Sequence, residues 1–325
     1  MMNTEKSYSL ELFRYLFMLI IALWHSNLKI FQHGYLPVEF FFILSGYLLL
    51  RSVEKHNIGT LQYTYIKFKR FMPQYLTALS ILILINFHKW NTIVFWIERI
   101  PELFMIQCTG FYSGSLNSPL WYLSVLILGG GILHSLILRE KNIVIKVILP
   151  LFILSFYTYL FNQQDSLECW KEIGCFSIPL LRGLAAMSIG VILAYIHIYY
   201  NEKIDSKIIY WNISSILSLL LFLMIIFTKE FYDKYVIILV PPIIIVCMST
   251  KSWFNKWLTS PFFGWLGSLS FSMLVIHIIF NKIFHKMSSF LPEYTHVILY
   301  IIGLTIASYV FKKSCSTISK KFKVT

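Results

Sequence analysis

Apolar runs long enough to cross a membrane alternate with short polar segments along the whole chain. A helix needs about 20 mainly apolar residues to span the hydrocarbon core of a bilayer, and the runs here are about 16 to 22 residues long. They predict ten helices near residues 12–29, 36–50, 73–88, 119–138, 143–161, 178–199, 208–227, 235–250, 264–281 and 294–311. The pattern indicates an all-α integral membrane protein, a bundle of about ten transmembrane helices that forms a single domain over residues 1–325.

One apolar segment, residues 91–108, has a mixed pattern. Its sequence, NTIVFWIERIPELFMIQC, carries two glutamates, an arginine and a proline among its apolar residues. Charged side chains and a proline are costly in the middle of a lipid-exposed helix. The segment is predicted to lie at the membrane interface or to re-enter the membrane, and an eleventh helix is the alternative.

The basic residues indicate how the ten predicted helices are oriented. With the N-terminus in the cytoplasm, 18 of the 28 Lys and Arg residues fall in the inner segments and 8 fall in the outer ones. The remaining two, Arg14 and Arg182, lie within helices. Because cytoplasmic loops of membrane proteins carry an excess of Lys and Arg, both termini are predicted to be cytoplasmic.

The composition supports this class of protein and excludes several others. The chain is 57% hydrophobic and only 13% charged, whereas soluble domains are about 25% charged. The net charge of +13 is mostly explained by the inner segments, and the sequence has no zinc-finger, RNA-binding or helix-turn-helix pattern. The histidines and cysteines lack metal-ligand spacings, so neither a nucleic-acid partner nor a metal is expected.

Two of the five cysteines, Cys169 and Cys175, share one predicted outer loop, QQDSLECWKEIGC. An oxidising compartment would allow a disulfide between them. Two cysteines six positions apart are as compatible with free thiols, so the sequence leaves the pairing open.

Ionisable residues occur at one level near the outer ends of four predicted helices. His25, Glu39, Arg182 and His277 come from four different helices, and Trp121 begins another helix at the same level. A single histidine or arginine near a helix end is commonly a structural hydrogen bonder or a snorkelling side chain, and Trp is common at membrane interfaces. Four ionisable groups at one depth nevertheless indicate a functional site.

A second set of charges lies towards the cytoplasm. Arg14 precedes His25 by eleven residues, which is close to three helical turns, so both side chains project from one face of the first helix. Their separation along the helix axis is about 16 Å at 1.5 Å per residue. The run YIKFKRFMP adds Lys67, Lys69 and Arg70 near the inner face, where topology alone also explains them.

Six short motifs, in order along the chain, resemble the signature of the membrane acyltransferase-3 family. The first is the spacing of Arg14 and His25, and the second is GYLPVEFFFILSGYLLL, which contains Glu39. The others are YIKFKRFMPQY with Arg70, SPLWYLSVLI with Trp121, LRGLAAMSIGVILA with Arg182, and LGSLSFSMLVIH, which ends in His277. Leu126 stands where many members have a glutamate, so a second acidic partner is missing.

The resemblance implies an enzyme that moves an acyl group, usually acetyl, from cytoplasmic acyl-CoA to a sugar hydroxyl. The implied partners are acyl-CoA, a cell-surface glycan or lipid-linked oligosaccharide as acceptor, and the lipid bilayer. Acetyl-CoA is the expected co-substrate, without a metal, although succinyl and longer acyl groups stay open. The implied location is the inner (cytoplasmic) membrane of a bacterium, as a multi-pass protein. Because the chain ends at Thr325, the form without the fused hydrolase-like domain of many members is expected.

Acyl transfer to a hydroxyl needs a base for the alcohol and a positive or hydrogen-bonding site for the thioester oxygen. His25 is the predicted base, and Glu39 is predicted to orient it as a carboxylate does in a catalytic triad. The predicted donor-binding residues are Arg14, Lys67, Lys69 and Arg70, and the predicted acceptor-binding residues are Arg182, His277 and Trp121. Direct transfer and transfer through acyl-His25 both stay open. A transporter or flippase of a glycan or lipid-linked sugar is the alternative function.

Overall fold

The computed structural model describes residues 7–26, 30–107, 115–168, 172–173, 176–288 and 293–321, and nearly all of them are helical. The helices are α1 Tyr8–Trp24, α2 Pro37–Lys55, α3 Thr60–Ile85, α4 Ile93–Ile97, α5 Arg99–Leu103, α6 Trp121–Ile143, α7 Leu149–Gln163, α8 Ile178–Tyr199, α9 Asn201–Ser206, α10 Ile208–Phe227, α11 Asp233–Met248, α12 Trp253–Trp257, α13 Pro261–Gly267, α14 Ser270–Ser288 and α15 Glu293–Lys321. Strands β1 Glu172–Ile173 and β2 Phe176–Ser177 form a short antiparallel pair just before α8. The predicted all-α fold class is confirmed.

Several helices have the length and apolar character that a membrane crossing needs. Within the described chain, five segments meet both criteria: Thr60–Ile85, Ser118–Gln163, Ile178–Tyr199, Ile208–Phe227 and Thr295–Thr317. A sixth is added if the bent pair of α13 and α14 is one span. Every one of the ten predicted segments overlaps a helix, whereas the count of ten crossings stays a prediction.

Helix α8 lies at the centre of the bundle. Of its most apolar stretch, 83% is buried, against 17–28% in the other four segments that meet the same criteria, as expected of helices that face lipid. Two glycines let α2 and α8 approach closely: a Cβ on Gly46 would meet the backbone of Met187, and one on Gly190 would meet the backbone of Ile43. Small residues at such contacts are typical of membrane bundles. This packing fixes the relative position of two predicted site residues, Glu39 and Arg182, near the N-terminal ends of the two helices.

Helix α3 begins much earlier than the sequence predicts. The expected start is near residue 73, but α3 runs from Thr60 to Ile85 with Pro73 inside it. The charges of the basic run favour a loop, yet Lys67 and Arg70 lie one turn apart on the helix. A proline in a helix interior removes one backbone hydrogen bond, and the Thr77 hydroxyl donates to the Pro73 carbonyl in the following turn. The basic side chains therefore project from a helix.

The segment 91–108 contains two short helices, α4 and α5, of five residues each. Helices of this length cannot cross a bilayer, so the described part of the segment excludes the eleventh spanning helix. Buried hydrogen bonds attach it to α3: the Tyr75 hydroxyl donates to the Glu102 carbonyl at 2.6 Å, and the Gln107 amide donates to Tyr75 at 3.1 Å. The segment thus packs on the bundle without spanning it.

The predicted helix 264–281 is broken in the structure. Ser268 and Leu269 separate α13 from α14, and the two helices are bent by 48° relative to each other. α13 packs closely on α1, since a Cβ on Gly267 would collide with Glu11. The bend therefore lies against the first turns of α1.

Candidate functional site

An elongated cavity follows α1 from its first turns to its end. Its volume is about 580 Å³, which is within the range of small-molecule sites. Glu11 and Arg14 line one end, and Trp24 and His25 line the other. Since Glu11 and His25 are fourteen residues apart, the lined length is about 21 Å at 1.5 Å per residue. The cavity joins the two predicted levels of charge.

The end of the cavity at Glu11 and Arg14, called the inner end after the predicted orientation and the opposite one the outer end, is rich in charged side chains. Arg14 Nη1 donates to the two carboxylate oxygens of Glu11 at 2.9 and 3.1 Å, and the Arg14 side chain stays 28% exposed. Lys67 and Arg70 line this end from α3. The ammonium group of Lys67 lies 5.4 Å from the ring centroid of Tyr63, a cation–π distance. This end therefore presents several positive charges.

Lys69 differs from its two basic neighbours. Its side chain is exposed, as is that of Arg70, but its ammonium group lies 5.8 Å from the ring centroid of Tyr65. At 100° per residue it faces a different side of α3 from Lys67 and Arg70. The structure thus brings two of the three predicted basic residues of this run to the cavity, whereas Lys69 is not among the lining residues.

The inner end also contains residues outside the sequence motifs. Lys312 of α15 lines the cavity, and its ammonium group donates to Ser268 Oγ at 2.7 Å. Lys312 lies in a C-terminal lysine-rich stretch that topology explains, so the sequence gives no signal for it. Glu11 has a signal, because it precedes Arg14 by three residues, a spacing at which opposite charges pair on a helix.

The imidazole of His25 is held by the end of its own helix. α1 ends at Trp24 rather than near residue 29, and His25 Nδ1 lies 2.9 Å from the Ile21 carbonyl. A carbonyl only accepts, so Nδ1 carries the proton and Nε2 keeps the lone pair that a general base needs. The ring of His277 lies beside it, with a centroid distance of 5.0 Å, and its Nδ1 is 2.8 Å from the Leu274 carbonyl. Two imidazoles are thus brought together in the same tautomer.

Glu39 and Arg182 form a buried ion pair between α2 and α8. Arg182 Nε donates to Glu39 Oε1 at 2.6 Å, and the Tyr157 hydroxyl donates to Oε2 at 2.9 Å. The exposed fractions of Glu39 and Arg182 are 0% and 1%. The structure corrects the predicted orienting contact: the carbonyl of Ile21 orients His25, while both oxygens of Glu39 are engaged by Arg182 and Tyr157.

The outer end of the cavity is lined by Trp121, Arg182 and Tyr35. The Arg182 guanidinium lies 6.0 Å from the Trp121 ring centroid, and its Nη1 donates to the Leu167 carbonyl at 2.6 Å. The Leu167 N–H and the Tyr35 hydroxyl both donate to Asp233 at 2.7 Å. Burial, with a smaller contribution from the Asp233 carboxylate, raises the pKa of Tyr35, which keeps its hydroxyl a donor. These contacts tie the loop before α8 to the outer end and hold Arg182 in place.

Two of the five cysteines, Cys247 and Cys315, lie in the described part of the chain. Cys108, Cys169 and Cys175 lie outside the described residues, so the predicted pairing of Cys169 and Cys175 stays a prediction. Cys247 and Cys315 are buried free thiols. In the part of the chain that the structure describes, no group of three or more His, Cys, Asp or Glu residues could hold a metal ion.

The fold and the cavity define a membrane protein of the all-α class with a cavity among its helices that charged, polar and apolar side chains line. The chain belongs to the acyltransferase-3 family, because the family model described as an acyltransferase domain matches residues 7–313. The resemblance seen in the sequence motifs is confirmed, and the protein is an acyltransferase. No curated protein and no solved structure matches the chain.

Proposed function

We propose that the protein transfers an acyl group, acetyl in the first instance, from cytoplasmic acyl-CoA to a hydroxyl of a cell-surface or lipid-linked glycan. The cavity carries this proposal, because Arg14 lines one end of it and His25 lines the other. A donor on one side of a bilayer and an acceptor near the opposite face can react only through such a passage.

The inner end suits the donor. Phosphate groups pair favourably with Lys and with the forked guanidinium of Arg, and Arg14, Lys67 and Arg70 line this end. The nucleotide of acyl-CoA stays among these cations while its long, thin pantetheine arm extends along α1. The arm delivers the thioester to the neighbourhood of His25, about 16 Å from Arg14 along the helix axis.

His25 acts as the general base of the transfer. Its Nε2 accepts the proton of the acceptor hydroxyl while the hydroxyl oxygen attacks the thioester carbonyl carbon. The C–O bond forms, the C–S bond breaks, and the CoA thiolate takes the proton from the imidazolium, which restores neutral His25. A two-step route through acyl-His25 gives the same products, and acylated His25 after incubation with acetyl-CoA alone would identify it.

The outer end suits the acceptor and the developing negative charge. Arg182 and Trp121 line it, and His277 lies against His25. A buried arginine held by Glu39 is a preorganised positive group, which is what a thioester oxygen needs as it gains charge. The aromatic face of Trp121 gives the sugar an apolar surface beside this charge.

The proposed setting is the inner membrane of a bacterium, with both termini in the cytoplasm and one transmembrane domain over residues 1–325. The excess of Lys and Arg in the predicted inner segments supports this orientation. It places the cationic end of the cavity on the side where acyl-CoA is made.

Acyl-CoA consumption tests the proposal directly. The purified protein is reconstituted into vesicles with membrane glycolipids, and release of the CoA thiol from acetyl-CoA is followed together with acetylation of the glycolipid. We expect acceptor-dependent thiol release. Movement of glycolipid across the vesicle membrane without thiol release would contradict the proposal and favour a transporter or flippase.

Replacing Glu39 by glutamine is expected to lower turnover strongly and to leave CoA affinity unchanged. The substitution removes the charge that compensates Arg182, and leaving one partner of a buried pair unpaired costs about 3–5 kcal/mol of unfolding free energy. Thermal unfolding and acetyl transfer are measured for Glu39→Gln, Arg182→Gln and the double variant, with exposed Glu202→Gln as the control.

The double variant shows whether Glu39 acts through Arg182 or independently of it. If Glu39 acts through Arg182, the double variant loses no more turnover than Arg182→Gln alone, because coupled residues are not additive. Additive losses of turnover would contradict this role, and unchanged turnover in Glu39→Gln would remove Glu39 from the site.

A further inference from the structure

The inner end of the cavity is closed by the last helix as well as by α1 and α3. Lys312 of α15 lines it together with Ser268 and Ser270, which flank the bend between α13 and α14. Ser268 Oγ accepts from Lys312 at 2.7 Å and donates to the Trp265 carbonyl at 2.6 Å. The ammonium group of Lys312 is therefore held at the cavity wall by a hydroxyl that is itself fixed.

Positively charged side chains outnumber negatively charged ones at the inner end of the cavity. Among the described residues, four cationic side chains line it (Arg14, Lys67, Arg70 and Lys312) against one carboxylate, that of Glu11, while the other lining carboxylate, Glu168, belongs to the loop before α8. The Glu11 carboxylate is already paired with Arg14. A surface with this excess of positive charge favours a ligand with several negative charges, and CoA carries a diphosphate and a further phosphate on its ribose.

We propose that Lys312 contacts a phosphate of the acyl-CoA donor, as a fourth basic residue beside Arg14, Lys67 and Arg70. The inference rests on the proposed function. Lys312 gives up its hydrogen bond to the neutral Ser268 hydroxyl for a charge-assisted one to phosphate, which is the stronger of the two. Phosphates of anionic lipid headgroups share this chemistry, and the experiment separates them from the donor.

The chain offers a matched control for this residue. Lys313 is the next residue on α15, carries the same charge and is exposed, and it is not among the residues that line the cavity. CoA affinity is measured by titration calorimetry of the protein in phosphatidylcholine nanodiscs, for Lys312→Gln, Lys312→Arg and Lys313→Gln. We expect Lys312→Gln to weaken CoA binding about tenfold or more, Lys312→Arg to retain most of the affinity, and Lys313→Gln to stay within about twofold.

Each other outcome counts against the assignment. Equal CoA affinity in Lys312→Gln and Lys313→Gln overturns it, as does a loss in Lys312→Gln that Lys312→Arg does not restore. If Lys312 binds a lipid headgroup instead, Lys312→Gln leaves CoA affinity unchanged and lowers only the amount of phosphatidylglycerol that the protein retains. Absence of CoA binding to the unaltered protein contradicts the proposed function itself, so the two failures are distinguishable.

A second inference rests on a different set of contacts, around the end of α1. The last carbonyls of a helix have no partner within the helix. Here Asn281 Nδ2 of α14 donates to the His25 carbonyl at 3.0 Å. The Tyr300 hydroxyl of α15 lies 3.0 Å from the Ala22 carbonyl and 2.6 Å from Asn281 Oδ1. Side chains from two other helices thus cap the turn that presents the imidazole.

We infer that Asn281 and Tyr300 are positioning residues for His25, which again depends on the proposed function. Both are buried, with 6% and 0% exposure, and both act on backbone carbonyls of the turn that also supplies the Ile21 contact to Nδ1. A general base must be held within about 0.5 Å of the position from which it accepts the proton. The cap supplies that restraint without touching the substrate.

Tyr300→Phe tests this inference, because it removes the hydroxyl and keeps the ring packed against Phe280 and Phe284. We expect kcat to fall about tenfold or more, since small misplacements of a catalytic group are costly, with KM for acetyl-CoA unchanged. Tyr309→Phe, an exposed tyrosine on the same helix, is the control and should match the unaltered protein. Unchanged kcat in Tyr300→Phe, or a loss of kcat accompanied by an equal rise in KM, overturns the inference.

Discussion

Replacing His25 by glutamine is expected to lower acyl transfer by about 10²- to 10⁴-fold, the contribution typical of a positioned general base. Glutamine keeps a polar side chain that can still hydrogen-bond to the last turn of α1. It has no group that takes up a proton near pH 7, whereas imidazole has a reference pKa of about 6.5. CoA affinity should not change, because the proposed phosphate site lies at the other end of the cavity. Turnover of acetyl-CoA and CoA binding are measured on the same preparation.

The control for this variant is His56→Gln. His56 is an exposed histidine just after α2, so its replacement tests for a general effect of losing a histidine. Normal turnover in His25→Gln, with the protein inserted and accumulated as usual, would reject the base assignment. A parallel loss of CoA binding would indicate a disrupted fold and would also contradict a purely chemical role.

Replacing Arg14 by glutamine is expected to reduce kcat/KM for acetyl-CoA by about 10- to 100-fold, the effect of losing hydrogen bonds to a charged group. Two causes act together. The guanidinium no longer meets the donor, and Glu11, which pairs with Arg14 at 2.9 Å, is left as an unpaired carboxylate facing phosphates. The double variant Glu11→Gln, Arg14→Gln should therefore recover part of the loss.

A graded series checks the Arg14 prediction. Arg14→Lys keeps the charge but lacks the planar fork of donors, so its kcat/KM should lie between those of the unaltered protein and Arg14→Gln. Arg139→Gln, an exposed arginine near the C-terminal end of α6, should match the unaltered protein. Full kcat/KM in Arg14→Gln would remove Arg14 from the donor site.

Periodicity and hydropathy predict the positions of the long helices because each apolar run has to satisfy its own backbone hydrogen bonds in lipid. Hydropathy misplaces a helix boundary where charged residues belong to the helix. The basic run before Pro73 is helical because Lys67 and Arg70 face a polar cavity that no single segment reveals. The break between α13 and α14 likewise depends on the close contact of Gly267 with Glu11, which is a tertiary feature.

In the candidate site, some features follow from a single helix and others depend on packing between helices. Helix geometry correctly anticipates that Arg14 and His25 face one space, because a single helix carries both. Partner choice is not local: Glu39 pairs with Arg182 because the glycines of α2 and α8 bring those helices together, and His25 is held by a carbonyl, which has no sequence signature. The sequence gives no signal for Lys312 either, because only the packing of α15 distinguishes its position from that of Lys313.

The length of the cavity has an electrical consequence. In the proposed reaction the donor phosphates remain at the cytoplasmic surface and only the uncharged arm with its acetyl group enters the bilayer interior, so no net charge crosses the membrane. A succinyl group would carry a carboxylate part of the way, and the potential contributes about 2.3 kcal/mol per elementary charge per 100 mV for a complete crossing. With the cytoplasm negative, that field drives the anion outward. In the proposed reaction, delivery of an acetyl group therefore does not depend on the membrane potential, whereas the potential assists delivery of an acidic acyl group.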